Sequence, residues 1–364
     1  MQIFPHPALS QREREVDVDL FPHHLHRTER LIRSSRLQKN RKETKPMPWQ
    51  RGGLIFVLML LGITRTAPAA EIQTVAERLG YPPDARLLIV HADDIGMCHA
   101  SNVAFMESTK GGSITAGSAM VPCPWFLEIA DFAKNHPEAD LGLHLTLTAE
   151  WKFYRWRPLA PAPSVPGLLD PQGCLFRDVP SVVQNAKPEE IEAEVRAQID
   201  YALAQGMKPT HLDSHMGTLF AKPEFLAVAL KLAEEYDIPF MFFNPTPQVL
   251  EMAGGRYDLK VHEELARRGW PMLDGLYSIE KTPVEESEAF YKEIIRNVKP
   301  GVSEIIIHPA AESPEIEAIT GSWKQRNADF RIFTDPAMNQ FIEEQGVKLV
   351  GWKQLYDLWK ARPR

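Results

Sequence analysis

The sequence predicts an α/β fold and, within that class, a closed or nearly closed (β/α) barrel. From Arg86 onward, short apolar runs alternate with helical patterns, which is typical of a parallel sheet covered by helices. Eight apolar runs favour a barrel over an open, doubly wound sheet. The chain has 364 residues, of which 44% are hydrophobic, and a formal net charge of -7. This composition indicates globular structure and argues against nucleic acid as a partner, since nucleic-acid-binding surfaces are usually basic.

The first 70 residues differ from the rest of the chain and contain a predicted leader. Residues 1–46 carry scattered basic side chains with little apolar periodicity, which indicates a disordered or non-native extension. Residues 47–70 combine a basic start, the apolar run 54–63 and the small-residue site Ala67-Pro68-Ala69, the pattern of a secretory signal peptide. The apolar run is shorter than the roughly 20 residues of a membrane-spanning helix. We therefore expect a periplasmic or secreted mature protein, with no stable membrane insertion after cleavage.

A single barrel domain is predicted for residues 71–364, built from elements that alternate in chain order. The helix that starts at Pro188 is the best marked, because proline fits a first helical turn and Glu189 and Glu190 complement the helix dipole. Strands are expected at 86–91, 114–121, 140–146, 209–213, 239–243, 275–279, 303–307 and 347–351. Helices are expected at 99–110, 124–135, 188–205, 223–236, 258–268, 284–298 and 335–345.

An insertion rich in proline and aromatic residues, at about 150–187, interrupts this alternation. A loop of this length inside a compact domain is more often functional than incidental. Aromatic rings such as Trp151, Phe153 and Trp156 could form the floor of a sugar-binding cleft. Alternatively, the segment is a proline-stiffened surface loop that buries its own aromatic side chains. Trp151 is the candidate substrate contact in this segment.

Paired aspartates mark the end of the first predicted strand. The apolar run 87–90 is followed by Asp93 and Asp94, with Gly96 two residues later. Aspartates are poor strand formers and costly to bury, so both belong at the carboxyl end of the strand. Neighbouring side chains on an extended strand point to opposite sides. We therefore expect the two carboxylates to have separate roles.

Histidines follow three further apolar runs in the same way. His144 lies on the third predicted strand, His211 and His215 flank Asp213 at the end of the fourth, and His308 ends the run 303–307. In a parallel barrel the carboxyl ends of the strands meet on one face, where catalytic groups gather. The sequence therefore predicts one site assembled from four strand ends.

Aspartate and histidine side chains that converge in this way indicate a catalytic metal site. Asp94, His144 and His215 would supply three ligands to a divalent ion and leave positions for water and substrate. Asp93 would act as general base on the metal-bound water, and His308 would protonate the leaving group or stabilise the oxyanion.

Two further residues of the fourth strand end have supporting roles in this interpretation. His211 could hydrogen bond to a ligand side chain, and Asp213 could cap a turn or orient His215. His91, within the first strand, is expected to be structural. The ligand set leaves Mg²⁺ and Zn²⁺ both open, since imidazoles favour zinc whereas carboxylate and water positions suit magnesium.

Three sequence blocks resemble the signature motifs of the YdjC-like carbohydrate deacetylases, a family that includes the chitooligosaccharide deacetylases. They are His91-Ala92-Asp93-Asp94-Ile95-Gly96, Gly142-Leu143-His144-Leu145-Thr146 and Thr210-His211-Leu212-Asp213-Ser214-His215. The resemblance covers about residues 84–355. It implies a distorted (β/α) barrel and a divalent metal, usually magnesium and sometimes zinc.

The resemblance also implies roles for individual residues. The metal aspartate of the family falls on Asp94, its two metal histidines fall on His144 and His215, and its catalytic base falls on Asp93. His308-Pro309 is similar to the downstream histidine block of the family. The resulting hypothesis is a metal-dependent hydrolase that removes acetyl groups from N-acetylated oligo- or polysaccharides. The sequence leaves a homodimer open.

Three other functions are compatible with parts of this pattern. Two histidines and one carboxylate also form the site of non-haem iron oxygenases, although usually on other folds. Paired carboxylates could serve a metal-independent glycosidase, which chelator-resistant activity would indicate. A non-catalytic barrel could bind carbohydrate through the insertion at 150–187 without any metal-dependent turnover.

Overall fold

The computed structural model describes residues 73–279 and 282–362. The predicted extension at 1–46 and the predicted signal peptide at 47–70 lie outside the described residues and stay predictions. In the described ranges, no helix combines the length and the apolar character needed to cross a membrane.

A parallel sheet forms the centre of the fold. Its strands are β1 (Arg86–Ile95), β2 (Ala116–Ala119), β3 (Leu141–Leu145), β4 (Leu212–Ser214), β5 (Gly275–Ser278), β6 (Gly301–Ile307) and β7 (Val347–Leu349). Their spatial order is β4-β3-β2-β1-β6-β5, and β7 pairs with the first residues of β1. Each strand lies beside its neighbours in parallel register, as the alternation of strands and helices predicts.

The predicted strand at 239–243 is wrong, because this segment makes only isolated bridges. Phe240 pairs with Leu212 on one side, and Phe243 pairs with Leu273 on the other. Pro239 and Pro245 bracket the segment, and proline has no backbone N–H to contribute to a ladder. The two bridges nevertheless connect β4 to the residues that precede β5. The strands therefore form a distorted (β/α) barrel, which confirms the predicted fold class.

Helices surround the sheet, and all seven predicted helices are present. The prediction missed the helix Trp323–Thr334, whose buried face includes the charged side chains of Arg326 and Asp329 rather than an apolar stripe. It also missed the helices Val75–Arg78, Val179–Asn185, Pro247–Ala253, Pro314–Ile319 and Trp352–Lys360. The helices are α1 (Val75–Arg78), α2 (His99–Ser108), α3 (Phe126–Asn135), α4 (Val179–Asn185), α5 (Pro188–Ala204), α6 (Pro223–Tyr236), α7 (Pro247–Ala253), α8 (Leu259–Arg267), α9 (Ser287–Asn297), α10 (Pro314–Ile319), α11 (Trp323–Thr334), α12 (Pro336–Glu344) and α13 (Trp352–Lys360).

Strand β1 separates two apolar regions, because both of its faces are buried. Leu88 and Val90 pack in the large core between the sheet and the helices. Leu87 and Ile89 pack on the opposite face with side chains from the other strands, inside the barrel. The inward face then continues along the strand with His91 and Asp93, which are also buried. The barrel interior is therefore apolar at one end and polar at the carboxyl end of β1.

Candidate metal centre

The end of β1 carries an irregularity that brings both aspartates to the same place. Asp94 has a φ of +61°, in the left-handed region that aspartate tolerates better than most residues. The register between β1 and β2 shifts between Ala92 and Ile95. As a result, Asp93 Oδ2 lies 3.7 Å and Asp94 Oδ1 lies 3.5 Å from the same atom, His144 Nε2. The prediction that the two carboxylates point apart is wrong for this reason.

Asp94, His144 and His215 form a compact group with three facing atoms. Asp94 Oδ1 lies 3.3 Å from His215 Nδ1 and 3.5 Å from His144 Nε2. The two facing nitrogens are 3.2 Å apart. All three side chains are buried, and their geometry is compatible with a shared metal ion. The structure thus brings together the three residues that the sequence analysis selected as ligands.

Carboxylates hold the other nitrogen of each histidine. His144 Nδ1 lies 2.7 Å from Asp213 Oδ1, and His215 Nε2 lies 3.1 Å from Glu150 Oε2. An ionised carboxylate only accepts hydrogen bonds, so each of these nitrogens donates its proton there. The nitrogens that face Asp94 are therefore free to bind a metal, the usual arrangement of metal-bound histidine. Asp213 orients His144 rather than His215, which corrects the expected pairing.

The second oxygen of Asp94 is held by a buried arginine. Arg326 Nη2 donates to Asp94 Oδ2 over 2.7 Å. Burial would raise the pKa of Asp94, but the charge of Arg326 and the contact with His215 hold that pKa well below its usual range. Asp94 Oδ1 is buried and accepts no hydrogen bond from the described residues. A buried carboxylate oxygen without a partner is costly, and a bound cation would remove that cost.

The electrostatics of the group also favour a bound cation. Burial would lower the pKa of His215, but Glu150 and Asp94 outweigh this effect and raise it to about 10. The carboxylates of Glu150 and Asp94 therefore favour positive charge at this position. Two imidazole nitrogens and one carboxylate oxygen fit a catalytic divalent ion that keeps further positions open. On chemical grounds the residues present fit the metal that the sequence predicts.

Asp93 lies beside this group and is anchored from the barrel interior. Asp93 Oδ1 is 2.7 Å from His91 Nδ1, whereas Oδ2 faces the His144 side. His91 Nε2 in turn lies 2.7 Å from His211 Nε2, and His211 Nδ1 lies 3.0 Å from Thr210 Oγ1. His211 therefore contacts His91 and Thr210 rather than a candidate ligand, which corrects its expected role. One carboxylate oxygen is thus fixed by a hydrogen bond and the other is placed next to the candidate metal position.

His308 follows β6, and its backbone N–H donates to Asp329 Oδ2 over 3.0 Å. Burial lowers the pKa of His308, and the nearby charge of Asp94 opposes this effect without reversing it. The imidazole is therefore neutral at neutral pH and can donate one hydrogen bond through its protonated nitrogen.

The insertion at 150–187 reaches the site through Trp151 and Glu150. The Trp151 ring is half-buried, 5.5 Å from the ring of Trp156 and 5.7 Å from the guanidinium of Arg326. Trp156 is buried, whereas Phe153 is 85% exposed. The loop therefore buries part of its own aromatic set, as one of the two interpretations expects. A role of Trp151 in sugar binding stays a prediction.

The sequence analysis missed Glu150 and Arg326, which contact the candidate ligands, and it missed the contact of His91 with Asp93. Arg326 is 232 positions from Asp94 in the chain, and no pattern connects the two. Glu150 begins the irregular insertion, where no periodicity indicates the direction of a side chain. His91 could have been found, since it lies two residues before Asp93 on the same face of a strand.

Comparisons with known proteins identify the family of this chain. The family model described as YdjC-like protein matches residues 87–344. A carbohydrate deacetylase of Thermus thermophilus is 33% identical over 273 residues, which is 74% of this chain and 93% of that protein. A chitooligosaccharide deacetylase of Yersinia enterocolitica is 27% identical over 270 residues, which is 72% of this chain and 97% of that protein.

A solved structure from Enterococcus faecalis has the same fold. It superposes with a TM-score of 0.62 at 27% sequence identity, over 74% of this chain and 99% of that chain. Cleavage of cellobiose phosphate has been provisionally assigned to that protein. The shared architecture extends over nearly the whole relative and over most of the described residues here.

Proposed function

The chain belongs to the YdjC-like family, and we propose that it is a carbohydrate deacetylase that requires a divalent metal ion. The observation that carries this proposal is the triangle of Asp94 Oδ1, His144 Nε2 and His215 Nδ1, whose atoms lie 3.2–3.5 Å apart. These three atoms would hold the ion, which we expect to be Mg²⁺ or Zn²⁺. When bound, such an ion polarises a carbonyl oxygen and stabilises negative charge that develops on it.

Asp93 would carry out both proton transfers of the reaction, and His308 would stabilise the charge that develops. Asp93 Oδ2 would accept a proton from the attacking water, while Oδ1 stays on His91. The water oxygen bonds to the acetyl carbon, and the carbon–nitrogen bond breaks. Asp93 then returns its proton to the departing nitrogen, so that acetate and a free amine are formed. Neutral His308 would donate a hydrogen bond to the developing oxyanion, a role that its lowered pKa favours over that of acid.

We assign the acetylated group of an N-acetylated sugar as the substrate. The relatives from Thermus and Yersinia are named for deacetylation of carbohydrates and of chitooligosaccharides. Trp151, beside Arg326, offers an aromatic face at the edge of the site for a sugar ring. The leader predicted at 47–70 supports a periplasmic or secreted enzyme, which would meet its substrate outside the cytoplasm.

Acetate release by the full chain tests the substrate class. We expect acetate from N-acetylglucosamine oligomers, and at most slow release from sugars that carry only O-acetyl groups. The variant Asp93→Asn is the matched control, because it keeps the shape of the side chain but cannot accept the proton. Release from O-acetyl sugars alone would show that the substrate assignment is wrong.

The same preparation distinguishes the other functions. Shorter oligosaccharides formed without acetate, and in the presence of chelator, would indicate a glycosidase. Oxygen consumption with ferrous iron would indicate an oxygenase. Binding of oligosaccharide without any turnover would indicate a non-catalytic barrel.

A further inference from the structure

We infer that His91 is a buried imidazolium that positions Asp93, and that a chain of hydrogen bonds across the barrel fixes its proton arrangement. The role given to Asp93 rests on the proposed function, whereas the charge of His91 rests on the hydrogen bonds and the buried carboxyl groups around its ring. Both side chains lie on the inward face of β1, and the His91 ring is fully buried. Its Nδ1 lies 2.7 Å from Asp93 Oδ1, and its Nε2 lies 2.7 Å from His211 Nε2.

The series of hydrogen bonds that leads to His91 begins at Asp140, which lies immediately before β3. Thr210 Oγ1 donates to Asp140 Oδ1 over 2.5 Å, and the backbone N–H of Lys353 donates to Asp140 Oδ2 over 2.6 Å. Burial raises the pKa of Asp140 to about 6, with Thr210 and Lys353 opposing the rise. The carboxyl is therefore ionised at pH 7.5 and only accepts hydrogen bonds. Thr210 therefore uses its single hydroxyl proton in the hydrogen bond to Asp140.

His211 is the next link and must be neutral, with its proton on Nδ1. His211 Nδ1 lies 3.0 Å from Thr210 Oγ1, which has no second proton to donate, so Nδ1 is the donor. Burial holds the pKa of His211 well below its usual range, so that Nε2 carries no proton. The indole of Trp352 stacks on the His211 ring with centroids 4.7 Å apart, which fixes the ring plane.

His91 therefore donates through both nitrogens. Its Nε2 must donate to the unprotonated Nε2 of His211, and its Nδ1 must donate to Asp93 when that carboxyl is ionised. Three carboxyl groups surround the ring, those of Asp93, Asp213 and Glu304. Burial would lower the pKa of His91, but Glu304, Asp93 and Asp213 together raise it to about 10. The surrounding carboxyl groups and the hydrogen-bond pattern both indicate a doubly protonated, positively charged His91 ring.

As a consequence, Asp93 accepts a charge-assisted hydrogen bond from His91. This bond fixes Oδ1 and leaves Oδ2 directed towards the candidate metal position. His91 touches neither the proposed ligands nor the substrate position, so it acts as a positioning residue. Its loss should lower kcat while the KM and the metal content change little.

Nuclear magnetic resonance of the full chain, labelled with ¹⁵N-histidine, tests the charge at pH 7.5. The scalar coupling across the N–H···N hydrogen bond identifies the pair of rings without any variant, and a nuclear Overhauser contact with the stacked indole of Trp352 identifies the ring of His211. We expect both nitrogens of His91 to be protonated and only Nδ1 of His211 to be protonated. Two neutral rings, or a doubly protonated His211 beside a neutral His91, would overturn the inference, whether or not the protein releases acetate.

Kinetics of His91→Gln test the positioning role, with His99→Gln as the matched control. Glutamine carries no charge and cannot make the charge-assisted hydrogen bond to Asp93, so we expect kcat to fall by about tenfold or more. KM should stay within about twofold and the metal content should be unchanged. His99 is 49% exposed, pairs with Glu128 and lies outside the site, so its variant should retain wild-type kinetics.

A His91→Gln enzyme with the wild-type kcat would overturn the positioning role. A wild-type protein that releases no acetate would instead refute the proposed function, while the resonance measurement would still decide the charge of His91. The two failures are therefore distinguishable.

Discussion

Two clusters of histidine and aspartate lie in the barrel, and they differ in how their polar atoms are paired. In the upper cluster, Asp94 Oδ1, His144 Nε2 and His215 Nδ1 face one another without a common partner. In the lower cluster, each ring nitrogen of His91 and His211 already has a hydrogen-bond partner. Both clusters have the residue types and proximity of a metal site. The free ligand atoms, rather than the residue types, therefore distinguish the candidate metal centre from a buried hydrogen-bond network.

The largest effect is expected for His215→Ala, which removes a ligand from the upper cluster. We predict loss of the bound metal and a fall in activity of roughly a thousandfold, equivalent to ~4 kcal/mol of transition-state stabilisation. Metal content by elemental analysis and acetate release would be measured together. The exposed His99→Ala variant should keep both. A His215→Ala protein that retains one metal ion per chain would place the metal site elsewhere.

Asp93 lies between the two clusters, and Asp93→Asn tests its role as the general base. We predict a fall in kcat of about a hundredfold to a thousandfold, because the amide cannot act as general base. Elemental analysis should show unchanged metal content, since Asp93 is not a proposed ligand. If this variant kept near wild-type kcat, the base would have to be another residue.

Glu150→Leu tests the carboxylate that orients His215. We predict that the dissociation constant of the metal rises ~10–100-fold, because His215 Nε2–H loses its acceptor and the ring loses its orientation. Competition with a chromogenic chelator would measure this change. Glu150→Gln retains an acceptor oxygen and should have a smaller effect. Equal affinities for wild type and Glu150→Leu would show that His215 needs no such support.

Thr210→Val tests the lower cluster and should affect stability more than metal binding. The valine leaves Asp140 and His211 Nδ1–H without their shared partner, so we predict a loss of ~1–3 kcal/mol in unfolding free energy. Thr210→Ser keeps the hydroxyl and is the matched control. Denaturant unfolding of the three proteins would measure the difference. A Thr210→Val protein as stable as wild type would argue against the hydrogen bonds that we assign between Thr210, Asp140 and His211.

The sequence predicts the upper cluster well because each ligand lies at, or directly after, the carboxyl end of an apolar strand. Apolar runs identify parallel strands, and the carboxyl ends of such strands meet on one face. His144 and His215 could therefore be assigned to a single site with Asp94, although they are 71 positions apart from each other. The barrel class could be predicted for the same reason.

The remaining features depend on tertiary contacts that leave no local pattern. The left-handed backbone at Asp94 places both aspartates beside His144, whereas a regular strand would separate them. Arg326 lies on a helix whose inward face is partly charged, so no apolar periodicity marks it. Residues 239–243 have the composition of a strand, but the flanking prolines limit them to single bridges.

Metal dependence of the deacetylation is tested by a metal titration of the chelator-treated full chain, followed by acetate release from N-acetylglucosamine oligomers. Zn²⁺ and Mg²⁺ would be added back in separate series. We predict negligible acetate release without metal, and with at least one of the two ions a recovery that saturates at one bound ion per chain. Full acetate release from the metal-free protein would contradict a metal-dependent reaction.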